Sequence, residues 1–318
     1  MRTLITGGHG FVGQALARRL SELGQDVVLL VREASRVREA SPRQRAADPA
    51  IVVADLRDRA AVARTIADGG FEGVVHLAAL TRVRDSIADP VGYFETNLAG
   101  TGHLLAALDE QARRTGRPAR LVFASTGAVY GTREGRLAEH EPCLPAHPYA
   151  AAKHAAEQLI GFQAGTGRLG AISLRCFNVA GALPGLPDAD LSRLIPKTLA
   201  VAAGAAEYLQ VNGDGGALRE YTHVADVAQA YALALAAVTP GQHRIFNVGS
   251  GTGVSVSQVV EAVRRATGRP IPIEWRPAAA ESQVLVADSE LIRAELGWSP
   301  QRSELDQLIA DGWAYRKP

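Results

Sequence analysis

The sequence predicts an α/β protein: a doubly wound parallel sheet, followed by a smaller α/β lobe on the C-terminal side. Three observations support this prediction. Short, fully apolar segments alternate with segments of helical periodicity through the first half of the chain, a glycine-rich turn follows the first apolar segment, and the alternation weakens after residue 175. Short apolar strands separated by helices are typical of a parallel sheet that is covered on both faces.

The first half of the chain supplies the sheet and its covering helices. Strands are expected at residues 4–5, 27–31, 51–54, 74–77, 121–124 and 171–174. Helices are expected at residues 11–23, 58–67, 91–113 and 149–162. Because right-handed crossovers place successive helices on both faces of such a sheet, the pattern is that of a Rossmann-type fold.

The second half is richer in loops. Its predicted elements are a loop at 182–190, a helix at 194–203, a turn-rich stretch at 211–216, a helix at 224–237, a strand at 244–248 and a proline-rich segment at 269–277. We therefore predict two domains. The first covers residues 1–178 and about 224–250, and the smaller lobe covers residues 179–223 and about 251–318.

Composition excludes several classes of protein. The chain has 318 residues, of which 47% are apolar, so it can bury a sizeable core and is not a disordered chain. Its 34 basic and 33 acidic residues give a net charge of +1, and no basic tract predicts a nucleic-acid partner. No apolar run approaches the length of a membrane span. Two unrelated cysteines and an N-terminus that enters a strand directly favour a cytoplasmic protein.

The glycine turn indicates a bound dinucleotide. Residues 6–13 read T-G-G-H-G-F-V-G between the first strand and the first helix. There Gly7 permits the tight turn, Gly10 lets a pyrophosphate approach the backbone, and Gly13 lets the helix pack on the strand. Phe11 and Val12 begin the helix, whose unpaired N–H groups suit phosphate. The alternative is a glycine-rich turn that binds nothing.

The end of the second strand bears on which dinucleotide binds. Val31 stands where a carboxylate normally binds the adenosine ribose hydroxyls, and Arg32 and Arg36 follow it. Because a guanidinium suits a 2′-phosphate, we predict NADP. The alternative is NAD, with Glu33 as the ribose-binding acid.

A phenol and an ammonium group lie four residues apart. Tyr149 and Lys153 share one face of the predicted helix at 149–162. A nearby Lys⁺ favours the phenolate, so this tyrosine is expected to exchange a proton near neutral pH. Ser125 and Thr126, at the end of the fifth strand, would orient a substrate oxygen and stabilise its developing charge. The alternative is a structural pair on a solvated helix face.

These motifs resemble the extended short-chain dehydrogenase/reductase superfamily, in particular its sugar-nucleotide epimerases and dehydratases. Nearly the whole chain takes part, and the likeness is greatest to UDP-galactose (UDP-glucose) 4-epimerase-like enzymes. The 4-keto-6-deoxysugar reductases are similar at residues 83–86 and at Arg32. Further matching stretches lie at residues 76–79, 97–100, 174–178, 219–226, 247–251 and 294–298.

The resemblance implies roles for further residues. Cofactor contacts would come from Asp55, Leu56, Leu77, Ala78, Ala79 and Asn97. Nucleotide-sugar contacts would come from Thr81, Asn178, Arg193, Arg219 and Arg276. The helices at 91–113 and 149–162 would form a homodimer. Two departures stand out: the family's late Arg-x-Gly-Asp pattern reads A-A-A-E at residues 278–281, so that Arg276 would have to substitute, and Arg32 is unusual for a 4-epimerase.

We therefore predict an NAD(P)-dependent nucleotide-sugar 4-epimerase that acts by transient oxidation at C4 and re-reduction of a 4-keto intermediate. The first alternative is an NADPH-dependent reductase of nucleotide 4-keto-(6-deoxy)sugars, which would consume cofactor. A remote alternative is a non-catalytic nucleotide-binding regulator. The eight histidines show no metal-ligand spacing, so no metal site is predicted.

Overall fold

A computed structural model describes residues 1–33, 49–133, 135–278 and 283–316. Its strands are β1 Arg2–Thr6, β2 Asp26–Val31, β3 Ala50–Val53, β4 Gly73–His76, β5 Ala119–Thr126, β6 Gly135–Leu137, β7 Leu169–Cys176, β8 Asn178–Ala180, β9 Leu209–Asn212, β10 Leu218–Arg219, β11 Tyr221–His223, β12 His243–Val248, β13 Val254–Ser255, β14 Ile273–Arg276 and β15 Val284–Ala287. Its α-helices are α1 Phe11–Glu22, α2 Arg59–Gly69, α3 Val83–Ala88, α4 Pro90–Phe94, α5 Gly100–Thr115, α6 Pro148–Ala164, α7 Leu194–Ala202, α8 Val224–Ala237, α9 Val256–Thr267, α10 Glu290–Leu296 and α11 Leu305–Tyr315.

The first of two compact units consists of Met1–Gly131, Cys143–Arg175 and Ala228–Phe246. Within the described residues its sheet has seven strands in the order β12-β7-β5-β4-β1-β2-β3. The pairings from β3 through β2, β1 and β4 to β5 are parallel. The chain runs outward from β1 to β3 and then crosses to β4 on the other side of β1. This reversal is the point at which open α/β sheets bind ligands, beyond the carboxyl ends of the strands.

The core of this unit explains why the central residues of its strands are apolar. Leu4, Val74 and Phe123, on three neighbouring strands, pack with helical side chains such as Leu104 and Ile160, and all are at most 1% exposed. Burying one such side chain stabilises the fold by about 1.5–3 kcal/mol. The packing on both faces fixes the strand ends, and with them the loops that follow.

The helix predicted at 91–113 has an irregularity that periodicity did not show. It begins as α4, where Asp89 Oδ1 accepts a hydrogen bond from Gly92 N, passes through a π-helical turn at Glu95–Ala99, and continues as α5. The π turn carries Asn97, which is 1% exposed. Single π turns within α-helices are often found at functional sites.

The second unit consists of Thr132–Pro142, Cys176–Val227 and Asn247–Pro318. Among its described residues are a sheet in the order β13-β10-β15-β6 and the two-stranded pairs β11-β8 and β14-β9. Its core joins α7, α9 and α11 through buried residues that include Leu199, Val263 and Ile309. In the parts of the chain that the structure describes, no helix combines the length and apolar character needed to cross a bilayer.

Candidate active site

The glycine turn after β1 has the geometry of a phosphate cradle. Gly7 has φ +70°, and a Cβ there would lie 2.8 Å from Ala78 N. A Cβ on Gly13 would lie 2.5 Å from Gly7 O, so only glycine lets α1 approach the turn this closely. Gly10 is the N-cap of α1 and has no side chain to satisfy the first-turn N–H groups, which include those of Phe11 and Val12. These donors and the helix dipole fit a pyrophosphate.

The loop after β4 is tied to the glycine turn and to the π turn. Thr6 Oγ1 accepts a hydrogen bond from Ala78 N at 3.1 Å. Asn97 clamps Leu80 at both backbone groups: its Oδ1 accepts from Leu80 N at 2.8 Å, and its Nδ2 donates to Leu80 O at 2.9 Å. Leu77 and Ala79 are partly buried beside Ala78. The backbone that the sequence assigns to the cofactor is therefore rigidly held.

The residues assigned to the adenosine end lie beyond β2 and β3. Arg32 directly follows β2, is about half exposed, and pairs with Glu33 at 3.5 Å. Arg36 lies outside the described residues. The hydrogen bond from the Arg57 guanidinium lowers the pKa of Asp55, whose carboxylate is held at 2.7 Å. Leu56 is buried against Gly100.

Tyr149 and Lys153 share one face at the start of α6. Pro148 occupies the first turn, and His147 caps the helix, its Nδ1 accepting from Ala150 N at 3.2 Å. The Tyr149 ring stacks on His147 at 6.0 Å between centroids and meets the Tyr93 ring edge-on at 6.4 Å. Lys153 is 2% exposed, and its Nζ lies 3.9 Å from the centroid of the Phe123 ring on β5. A buried ammonium is thus fixed one helical turn from a phenol.

Ser125 and Thr126 end β5, next to β4 in the sheet. Successive residues of a strand point to opposite faces, so the two hydroxyls have different surroundings. Thr126 Oγ1 accepts from Ala128 N at 3.1 Å and caps the 3₁₀ turn Gly127–Tyr130. The accepted bond leaves its O–H proton available for donation. The Ser125 hydroxyl lies beside the Glu157 carboxyl and is one of several contacts that lower the pKa of that carboxyl.

Four of the five residues assigned to the substrate belong to the second unit. Asn178 Nδ2 donates to Glu220 O at 3.0 Å, and Arg219 Nη1 donates to Leu218 O at 2.9 Å. Arg193 pairs with Asp188 at 3.1 Å at the start of α7. Arg276 ends β14 beside Glu274 at 3.6 Å. Thr81 lies in the first unit and is exposed, just beyond the loop that Asn97 clamps.

Sequence reasoning missed a buried ion pair below the reactive residues. Glu157 lies one turn beyond Lys153 on α6, and Arg175 lies near the end of β7. They are 2% and 3% exposed and are joined by two hydrogen bonds. The spacing 149, 153, 157 was the signal that could have revealed Glu157, because residues four apart share a helix face.

Comparisons with known proteins place the chain in a family. Residues 3–249 match the NAD dependent epimerase/dehydratase family. The chain belongs to this family. A UDP-glucose 4-epimerase of Corynebacterium glutamicum is 39% identical, over 99% of this chain and 95% of that protein.

Solved structures agree with this assignment. A UDP-glucose-4-epimerase of Stenotrophomonas maltophila with bound NAD and formylated UDP-arabinopyranose has a TM-score of 0.88 at 33% identity, covering 99% of this chain and 97% of that one. A UDP-glucose 4-epimerase of Brucella ovis in complex with NAD has a TM-score of 0.87 at 30% identity, covering 98% and 97%. The predicted fold, family and enzyme class, an NAD(P)-dependent nucleotide-sugar 4-epimerase, are confirmed.

Proposed function

We propose that this chain interconverts UDP-hexoses that differ in configuration at C4, with Tyr149 as the group that takes and returns the hydroxyl proton. The observation that carries the assignment is the placement of Tyr149 above buried Lys153. Both lie on a helix that packs on β5, in the same unit as the glycine turn. The Corynebacterium relative, named a UDP-glucose 4-epimerase, supports UDP as the nucleotide.

The proposed mechanism assigns one task to each residue. A bound nicotinamide supplies the acceptor and donor of the C4 hydride. Tyr149, as phenolate, removes the proton from the C4 hydroxyl and later returns it, while the Lys153 ammonium stabilises that phenolate. The Thr126 hydroxyl donates a hydrogen bond to the C4 oxygen as its charge changes. Re-reduction of the 4-keto sugar from its opposite face would give the C4 epimer.

We propose NAD as the resident cofactor and so revise the preference for NADP. The glycine turn fits a dinucleotide, because its cradle would be filled by a Cβ at Gly7 or Gly13. Arg32, which suggested a 2′-phosphate, lies against the carboxylate of Glu33, which partly neutralises it. The Stenotrophomonas and Brucella neighbours are both described with NAD. Mass spectrometry of the ligand released from freshly purified protein tests this choice, and NADP in that fraction would refute it.

The activity test compares wild type with Tyr149→Phe. We expect wild type to equilibrate UDP-galactose and UDP-glucose without added reductant and without net change in nicotinamide absorbance. Removing the phenol hydroxyl is expected to lower kcat about 10²–10⁴-fold, since general acid–base catalysis contributes that much. Equal turnover by the variant would contradict the assignment of Tyr149. Stoichiometric oxidation of added NADPH with a 4-keto sugar would instead indicate the reductase.

The first unit carries an exposed apolar face that supports the proposed homodimer. Val91 and Phe94 on α4 and Phe162 on α6 are 66%, 38% and 80% exposed, and α4 packs beside α6. Exposed apolar side chains on adjacent helices fit a second copy of the same face. Phe162→Glu is expected to shift the protein from dimer to monomer in sedimentation. A monomeric wild type would refute the proposal.

A further inference from the structure

The buried ion pair below the reactive residues joins three elements. Arg175 on β7 donates to both carboxylate oxygens of Glu157 on α6, from Nε at 3.1 Å and from Nη2 at 2.9 Å. Its third nitrogen, Nη1, donates to Tyr130 Oη at 2.9 Å. Tyr130 is fully buried and ends the 3₁₀ turn that Thr126 caps. One guanidinium therefore connects the helix of Tyr149 to the strand β7 and to the turn of Thr126.

Glu157 also continues the face that carries the reactive pair. Tyr149, Lys153 and Glu157 are each four residues apart, so their side chains lie one above another along α6. Without Arg175, the Glu157 carboxylate on one side and the Tyr149 phenolate on the other would both attract the Lys153 ammonium. Burial would raise the pKa of Glu157, but the adjacent His154 and Arg175 outweigh burial and lower that pKa to about 2. The carboxylate is therefore ionised and depends on Arg175 for neutralisation.

Further titratable groups surround this face. Tyr93 and His147 lie against Tyr149, His76 lies near Lys153, and Tyr130, Cys143, His154 and His243 lie near the ion pair. Burial lowers the pKa of His76, His147 and His243, and it raises the pKa of Cys143. These four groups are thus uncharged near pH 8. The group Cys143, His154 and Glu157 also has the spacing of metal ligands, but Arg175 already engages both carboxylate oxygens.

We propose that Glu157 and Arg175 are positioning residues for proton transfer. Arg175 holds α6 against β7 and the Thr126 turn, and it neutralises Glu157 so that the Lys153 charge acts on Tyr149. This inference rests on the proposed role of Tyr149. Glu157 lies eight residues from Tyr149, about 12 Å along the helix axis. At an effective dielectric constant of about 20, an unbalanced charge at that distance shifts a titration by about one pH unit.

The test uses two single variants and their combination, each purified with its cofactor. Arg175→Met leaves the carboxylate unbalanced and is expected to raise the titration midpoint of Tyr149 by up to about one pH unit. Glu157→Gln leaves the guanidinium unbalanced and is expected to lower it by a similar amount. The double variant is expected to restore the midpoint, with kcat about tenfold lower and KM unchanged, because the fork that holds α6 is lost. The midpoint is measured from tyrosinate absorbance, as the difference from the same protein carrying Tyr149→Phe, and from the pH profile of kcat/KM.

Each outcome decides for or against the inference. Opposite shifts in the single variants support it, and unchanged midpoints in folded, cofactor-bound single variants overturn it. If the single variants do not fold, Tyr130→Phe and the double variant carry the test. Tyr130→Phe removes one hydrogen bond to Arg175 and is expected to lower kcat severalfold at constant KM. If both Tyr130→Phe and the double variant keep the wild-type kcat, the proposal is overturned. An inactive wild type would refute the proposed function instead, while the absorbance titration would still test the charge balance.

Discussion

Gly13→Ala tests whether the close approach of α1 to the glycine turn holds the cofactor. The new Cβ would lie 2.5 Å from Gly7 O and 2.8 Å from Gly8 Cα. An ordinary carbon–oxygen contact is about 3.3 Å, so the helix or the turn must move by roughly 0.8 Å. Both neighbours are backbone atoms, and a rotamer change cannot relieve the overlap.

The expected cost follows from that displacement. Overpacking of this kind costs about 1–3 kcal/mol, and the better helix propensity of alanine offsets up to about 1 kcal/mol of it. A net loss of about 1–2 kcal/mol lowers the thermal midpoint by several degrees. The displaced turn also moves the N–H groups that would face the pyrophosphate, so we expect at least tenfold weaker retention of NAD.

The assay measures NAD content and thermal unfolding side by side with a matched control. Gly102→Ala is that control, because Gly102 lies within α5 and, among the described residues outside its own helix backbone, its Cβ would meet only Leu159 Cδ2, at an ordinary 3.7 Å. The control is expected to match or exceed wild type in stability and to bind cofactor normally. Full cofactor content with an unchanged midpoint in Gly13→Ala would refute the steric argument.

Two further predictions concern the second unit. Asp226 accepts backbone N–H groups of Gln301 and Arg302 at 3.0 and 2.9 Å, so Asp226→Ala is expected to lower the free energy of unfolding in urea by about 2–4 kcal/mol. The matched variant Asp306→Ala removes an exposed ion pair and should cost under about 1 kcal/mol, and equal costs would contradict this account. Burial raises the pKa of Glu220 to about 7, although hydrogen bonds from the N–H groups of Gly251 and Ala287 act to lower it. Between about pH 4.5 and 7, the folded protein therefore keeps a proton on Glu220 that the unfolded protein has released. Wild-type stability should therefore fall by up to about 3 kcal/mol, relative to Glu220→Gln, as pH rises from about 4.5 to 7; parallel stability curves over that range would refute it.

The sequence predicted the first unit well because its signals are local. Strands such as β1 and β4 are buried at their centres, and the central residues Leu4-Ile5 and Val74-Val75 are apolar. The second unit gave weaker signals, since its strands are short and their partners are distant in sequence. β6 pairs with β15, about 150 residues later, and the three residues of β6, Gly135–Leu137, carry no signal that indicates this pairing.

The site shows the same division between local and distant information. Tyr149 and Lys153 could be found because their spacing places them on one face of a helix whatever surrounds them. Arg175 could not be found from the sequence, because an arginine at the end of a strand is usually solvated. Only the folded chain brings it to Glu157. The assignment of Arg32 to a phosphate likewise rested on residue type alone and did not include its pairing with Glu33.

His76, at the end of β4, is a buried histidine whose titration is affected by the charge of Lys153. His76 lies between Thr6 Oγ1 at 2.7 Å and Thr101 Oγ1 at 3.0 Å. Burial, and then the Lys153 charge, lower the pKa of His76 to about 3, so it is neutral over the whole working range and bridges β4 to β1 and α5. A protonated imidazole there would bury a second positive charge near Lys153, which is costly in free energy. The neutral imidazole of His76 thus connects β4 to β1 and α5 without adding a positive charge beside the Lys153 ammonium.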